Sequence, residues 1–166
     1  MADGVAGQAS RELATEIIRL LTLSGDTVAA AESLTGGLVA AALTDVPGSS
    51  NAFRGGCVAY ATELKAQVLG VDVGMLKRYG PVYAPVAGAM AEGVRQRLGA
   101  TFGVATTGVA GPGPQGGHPA GTVHIAVSLA GDTVVRTMAL AGNRDEVRRL
   151  AVERVLGLLL GRLRET

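Results

Sequence analysis

The stretch TVAAAESLTGGLVAAALTDVPG, residues 27–48, decides how the chain is read. Its first five residues, Thr27 to Ala31, are a short apolar run that predicts a buried strand. Two glycines, Gly36 and Gly37, follow a polar turn, and a second apolar run ends at Asp45-Val46-Pro47-Gly48. That run predicts a helix from about Thr35 to Thr44, closed by a Pro-Gly stop. A buried strand feeding a helix through a glycine turn is the repeating unit of an α/β domain.

The rest of the chain continues the pattern. Upstream, Leu13, Ile17, Leu20 and Leu21 mark one helical face, with Ser10 as N-cap and Gly25 as stop. Residues 1–10 are expected to be disordered or frayed, and 11–166 to form a single domain. Downstream, Gly56 to Tyr60 predicts a strand, with Thr62 capping a helix over Glu63 to Leu69. Helices are predicted over Val73 to Tyr79 and over Pro85 to Leu98, where Pro85 suits a first turn. Phe102 to Thr106 is the next strand and opens into a loop rich in glycine and proline, Thr107 to Ala120. Thr122 to Leu129 and Asp132 to Leu140 predict a hairpin turning at Ala130-Gly131. Asn143 and Glu146 have capping-box spacing at the start of the last helix. Its apolar face is Val147, Leu150, Ala151, Val155, Leu158 and Leu159. These elements predict a three-layer α/β/α sandwich with a mixed, mostly parallel sheet.

Composition narrows the function. Aromatics make up 3% of the 166 residues and there is no Trp, so the core must be built from Ala, Val, Leu and Ile. The 15 Lys and Arg nearly balance the 14 Asp and Glu, and no basic block is interleaved with aromatics. Direct nucleic-acid binding is therefore not expected. The apolar runs are too short to span a membrane. The start is neither basic nor apolar enough for a secretory signal, and Cys57 is the one cysteine, so a cytoplasmic protein is expected. His118 and His124 are the two histidines, and no metal-ligand spacing accompanies them, so no metal or cofactor is expected. Cys57, inside an apolar run, reads as core.

In an open α/β sheet, ligands collect where strand C-termini meet helix N-termini. Three such junctions are polar: Glu32 to Gly37, Tyr60 to Lys65, and Thr106-Thr107-Gly108. Ser33 at the first would face backbone N–H groups at a helix end, as an acyl-transfer nucleophile requires. Spacing equally allows Ser33 or Thr35 to be a simple N-cap. Lys65, read as lying in the first turn of a helix, would have its pKa lowered there and lowered further by burial. A neutral lysine can activate a serine, although a solvated surface lysine has the same spacing. Tyr60 reads as a site residue or as core. Arg144 also lies in a first helical turn, where a bound phosphate would reverse the unfavourable charge. Solvent, Asp145 or Glu146 are its other expected partners.

At these junctions the chain resembles the CinA C-terminal domain family, the PncC-type nicotinamide-nucleotide amidohydrolases. The matching stretches are AESLTGG (31–37), LTDVPGSS (43–50), GGCVAYATELKAQVLGV (55–71), TTGVAGPGPQGGHPAGTVHIAV (106–127) and GNRDEVRRLA (142–151). The resemblance implies hydrolysis of nicotinamide mononucleotide to nicotinate mononucleotide and ammonia, in pyridine-nucleotide salvage. It implies Ser33, Tyr60 and Lys65 as catalytic residues. It implies Thr35, Gly36, Ser50, Thr107, Gly108 and Arg144 as substrate-binding residues, and association into homo-oligomers. Thr62 stands where the family commonly has Asn, and Tyr83 where it commonly has Ser. Full-length family members carry a further N-terminal domain, whose pyrophosphatase activity is not expected here. The rival classes are a non-catalytic nucleotide-binding or adaptor module linked to competence or DNA damage and an amidohydrolase for another small amide.

Overall fold

The computed structural model describes residues 7–166. The strand opening the quoted stretch is β1 (Val28–Glu32), buried along its whole length. It lies between β2 (Phe53–Val58) and β3 (Phe102–Gly108), parallel to both, and β4 (Thr122–Leu129) and β5 (Asp132–Ala139) extend the sheet in the order β2-β1-β3-β4-β5. The β3–β4 and β4–β5 ladders are antiparallel, so β4 alone runs against the other strands. The hairpin closes between Leu129 and Asp132, with Gly131 at φ 77° supplying the left-handed turn conformation.

Alternation along the buried strands divides the core in two. Val28 and Ala30 of β1, Phe102 and Val104 of β3, and Val123, Ile125 and Val127 of β4 face α1 (Gln8–Ser24), α2 (Leu38–Thr44) and α6 (Arg144–Glu165). Ala29, Ala31, Ala105 and Ala126 face the other way, under α3 (Thr62–Gln67), α4 (Val73–Tyr79) and α5 (Ala84–Arg97). This gives the three layers, with mostly branched side chains of the sheet facing one helical layer and alanine methyl groups of the sheet facing the other. On the alanine face α5 approaches very closely. A Cβ on Gly103 would sit 2.0 Å from the Ala91 carbonyl oxygen, and one on Gly93 equally close to that of Leu69.

Several boundaries differ from the sequence reading. The first helix starts at Gln8 with Gly7 at its N-cap, so Ser10 is a buried helical residue and not a cap. Of the start expected to be frayed, Gly7 is the N-cap and residues 8–10 are helical, while residues 1–6 lie outside the described residues. The helix expected from Thr35 begins only at Leu38, because Gly36 and Gly37 take positive φ and hold a separate turn. β2 covers residues 53–58 instead of 56–60, an edge strand in which Gly55 and Gly56 mask the pattern. Ala61, not Thr62, occupies the N-cap of α3, with Thr62 as its first helical residue. Tyr83 caps α5 without a side-chain hydrogen bond, its ring stacked on Tyr79 at 4.4 Å. The Asn143–Glu146 capping box forms as expected, and Gly25 ends α1 in the left-handed conformation. Among the described residues no helix is long and apolar enough to cross a membrane.

Candidate active site

The C-terminal ends of β1, β2 and β3 open into one cleft. It is lined by Ser33, Tyr60, Thr62, Lys65, Thr107, Gly108, Gln115 and Arg144, with Leu34, Pro81, Val82 and Ala110 as apolar wall. Ser33 directly follows β1, and its N–H is held by the Thr106 carbonyl on β3 at 3.0 Å. Lys65 comes from α3, whose lead-in is tied to β1 by the Ala59 N–H donating to the Glu32 carbonyl at 2.9 Å. The lysine is 1% exposed, and its Nζ donates to Ser33 Oγ at 3.1 Å and to the Ala59 carbonyl at 2.8 Å. Burial lowers its pKa to about 8, opposed by Cys57 and Glu63. A base beside a serine hydroxyl, titrating near neutral pH, is the pair that nucleophilic acyl transfer requires.

The cause of that low pKa differs from the one expected. α3 has only six residues and Lys65 is the fourth of them, past the first turn, so the helix end is not responsible. Loss of hydration is.

The expected offer of α2 N–H groups to a ligand is also corrected. Glu32, itself 2% exposed, turns its carboxylate onto that helix end and accepts from Val39 N at 2.8 Å and Ala40 N at 3.1 Å. The available donors lie in the turn instead. The Gly36 N–H goes to the Ser33 carbonyl, whereas those of Leu34 and Thr35 have no partner among the described residues. From the opposite side, Arg148 of α6 donates Nε to the Leu34 carbonyl at 3.0 Å and Nη2 to the Thr35 carbonyl at 3.3 Å.

Tyr60 stands beyond β2, 58% exposed, and its hydroxyl accepts from Arg144 Nη2 at 3.2 Å. Arg144 also donates Nη1 to the Gly111 carbonyl at 2.8 Å. It therefore crosses the cleft mouth, with Tyr60 and the glycine-rich loop as partners in place of Asp145 or Glu146. The capping box already uses the Glu146 N–H, so an anion here would rest chiefly on the guanidinium. Thr107 lines the cleft with its hydroxyl donated to the Pro81 carbonyl at 2.8 Å. Gly108 is needed where it stands, since a Cβ would lie 2.4 Å from the Thr122 carbonyl oxygen.

Three expected binding residues are not in the cleft. Thr35 is fully buried, its hydroxyl sharing a 2.7 Å hydrogen bond with Thr106, which ties the turn to β3. Gly36, at φ 58°, lies under Arg148, whose Nη2 a Cβ would approach to 3.2 Å. Ser50 sits in a 3₁₀ turn (Ser49–Asn51) that leads into the N-terminal end of β2. The Val28 N–H bonds the Ala52 carbonyl there, so Ser50 is at the opposite end of the sheet from Ser33, about 13 Å of strand away. Within one chain it cannot hold an oxyanion formed at Ser33.

Glu32 and Arg148 are the residues whose roles sequence reasoning missed. The matched stretches contain both, but neither residue's partner lies within its own stretch. Cys57 is half-buried on β2, and burial followed by the Glu32 carboxylate pushes its thiol up, away from a nucleophile's range. His124 is bonded to the Thr137 hydroxyl, with its pKa lowered by burial and then by His118. Among the described residues no group of three or more His, Cys, Asp or Glu side chains is arranged to hold a metal ion.

Known proteins carry the same architecture. The crystal structure of the competence/damage-inducible protein CihA from Agrobacterium tumefaciens matches with a TM-score of 0.90 at 37% identity, over 94% of this chain and 96% of that one. A competence-damaged protein (CinA) superfamily member from Klebsiella pneumoniae matches with a TM-score of 0.90 at 32% identity, over 95% and 99% of the two chains. In sequence, a CinA-like protein of Frankia casuarinae is 53% identical over 156 residues, which are 94% of this chain and 36% of that protein. One from Acidobacterium capsulatum is 43% identical over 150 residues, 89% of this chain and again 36% of the relative. The chain thus spans a little over a third of the length of these relatives. The model of the CinA C-terminal domain matches residues 10–163, and the chain belongs to that family.

Proposed function

We propose that the chain is a cytoplasmic amidohydrolase that converts nicotinamide mononucleotide to nicotinate mononucleotide and ammonia, in pyridine-nucleotide salvage. The observation that carries this reading is the buried Lys65 Nζ, 3.1 Å from Ser33 Oγ and titrating near 8. At pH 7 about one molecule in ten has the neutral amine, which then accepts the Ser33 proton.

Ser33 Oγ attacks the carboxamide carbon and Lys65 takes the hydroxyl proton. The tetrahedral oxyanion is held by backbone N–H groups of the turn after Ser33. Lys65 returns the proton to the departing nitrogen, the C–N bond breaks, and ammonia leaves an ester on Ser33. Water adds to that ester with Lys65 again as base, releasing the carboxylate and restoring the serine. Tyr60 stands at the cleft mouth, while Thr107, Gly108 and Arg144 take the ribose phosphate. The phosphate exchanges for the Gly111 carbonyl and Tyr60 hydroxyl as partner of Arg144, a stronger charge-assisted contact. The sequence carries no feature of its own for a metal or a cofactor in this scheme.

The test is ammonia release by the purified chain given nicotinamide, its riboside or its mononucleotide. Release that is fastest, by kcat/KM, with the mononucleotide is expected. Equal rates with all three would remove the phosphate contact, and binding of the mononucleotide without ammonia would make the protein a binder.

A further inference from the structure

Arg148 is placed unlike any other charged side chain near the cleft. It is half-buried on α6, its hydrogen bonds run to two consecutive backbone carbonyls, Leu34 at 3.0 Å and Thr35 at 3.3 Å, and no carboxylate pairs with it among the described residues. Those carbonyls belong to the turn that carries Ser33. Gly36 has no side chain at the point where a Cβ would meet Arg148 Nη2 at 3.2 Å, which leaves room for the guanidinium.

A trans peptide is planar, so its C=O and N–H point in opposite directions. Fixing the Leu34 carbonyl on Arg148 therefore turns the Thr35 N–H away from α6. The neighbouring peptide is fixed as well, with the Thr35 carbonyl on Arg148 and the Gly36 N–H on the Ser33 carbonyl at 3.0 Å. Glu32 holds the other end of the segment through Val39 and Ala40. The turn is clamped from both sides, and the Leu34, Thr35 and Gly37 N–H groups are the donors it leaves unbonded, of which only Leu34 belongs to a residue lining the cleft.

We infer that Arg148 is a positioning residue that holds the turn after Ser33 so that the unbonded N–H of Leu34, a residue of the cleft wall, serves as an oxyanion donor for the Ser33 reaction. This rests on the acyl-transfer reading of Ser33 and extends it to a residue that touches neither substrate nor nucleophile. Arg144 and Arg148 are four residues apart on α6, so they share a helix face. One helix thereby presents an arm to the cleft mouth and another to the nucleophile turn.

The test uses the full chain with Arg148→Ala and Arg148→Lys, each checked by its melting curve. Two rates are measured: ammonia release from nicotinamide mononucleotide, and covalent labelling of Ser33 by an alkyl fluorophosphonate. In the labelling step the Ser33 Oγ–P bond forms, the P–F bond breaks, fluoride leaves and Lys65 takes the serine proton. It needs the oxyanion donors but not the carboxamide. The expected result is a fall in kcat and in labelling rate of about ten- to a hundredfold, with KM within about twofold. Free guanidinium should restore part of the lost rate to Arg148→Ala. Arg148→Lys keeps the stem but not the two-pronged contact, so it should stay slow although folded.

An unchanged labelling rate in the folded variants overturns the inference. So does a loss confined to KM, unlabelled Ser33 in the wild type, or global unfolding of both variants. A wild type that is labelled but releases no ammonia, with labelling slowed by Arg148→Ala, supports the inference and overturns the proposed substrate.

Discussion

Arg144 Nη2 lies 3.2 Å from Tyr60 Oη, joining the first residue of the last helix to the segment just beyond β2 across the cleft mouth. The contact joins positions 84 residues apart and is exposed, so it can exchange for a ligand anion at little cost. Replacing Arg144 by Gln should raise KM for nicotinamide mononucleotide at least about tenfold, with much less effect on kcat, because a charge-assisted phosphate contact contributes about 1.5–3 kcal/mol. Steady-state kinetics with the mononucleotide beside the riboside checks this. Equal losses with both substrates would place the phosphate elsewhere.

The Lys65 amine fixes the pH profile. Its pKa is lowered to about 8 by burial, so kcat/KM should fall about tenfold per pH unit below that value and level off above it. The stability effect follows from the same shift. The unfolded lysine holds its proton up to about 10.5, the native one only to about 8, so the native state loses stability as pH falls towards 8. Lys65→Met should therefore abolish turnover and raise Tm by a few degrees at pH 7, with the gain shrinking between pH 8 and 10.5. Melting curves across that range are the measurement.

The thin alanine layer gives a structural prediction. Gly103→Ala places a methyl group 2.0 Å from the Ala91 carbonyl oxygen, which is helix backbone and cannot rotate away. It should destabilise the domain by more than about 3 kcal/mol in urea unfolding. Gly131→Ala, with nothing within 4 Å of the new Cβ, carries only the strain of its φ of 77° and should cost much less.

At the far end of the same layer, Ser128 is fully buried and donates to Glu92, which also holds Arg95 and Gln96. Arg95 first, then Ser128, lowers the Glu92 pKa to about 2. The stabilisation is thus complete above about pH 4.5 and lost as pH falls towards 2. Glu92→Ala leaves the Ser128 hydroxyl without its acceptor and should cost about 1–3 kcal/mol at neutral pH. Its penalty should shrink in acid, measured by urea unfolding at pH 7 and pH 3.

Junction logic made Ser33, Tyr60, Lys65, Thr107, Gly108 and Arg144 legible in the sequence, because a short apolar strand and the turn after it are local signals. The cleft brings those six together. Ser50 was misplaced for the opposite reason. Its position beside Gly48 shows a turn, but which end of the sheet that turn occupies depends on the register of β2 against β1. Arg148 was invisible as a functional residue, since α6 periodicity marks it only as polar and its partners lie 114 and 113 residues away. Glu32 was visible as a junction residue, but its role as the carboxylate closing α2 appears only once the Gly36-Gly37 turn folds back.

The central claim is that Ser33 is the nucleophile and Lys65 its base. The most direct measurement is the initial rate of ammonia release from nicotinamide mononucleotide by Ser33→Ala beside the wild type, at pH 8. The hydroxyl is 3.1 Å from Lys65 Nζ and Ala removes little else, so the fold should survive. Release by the wild type with loss to background in the variant is the predicted result. Turnover by a folded Ser33→Ala close to that of the wild type would contradict the account.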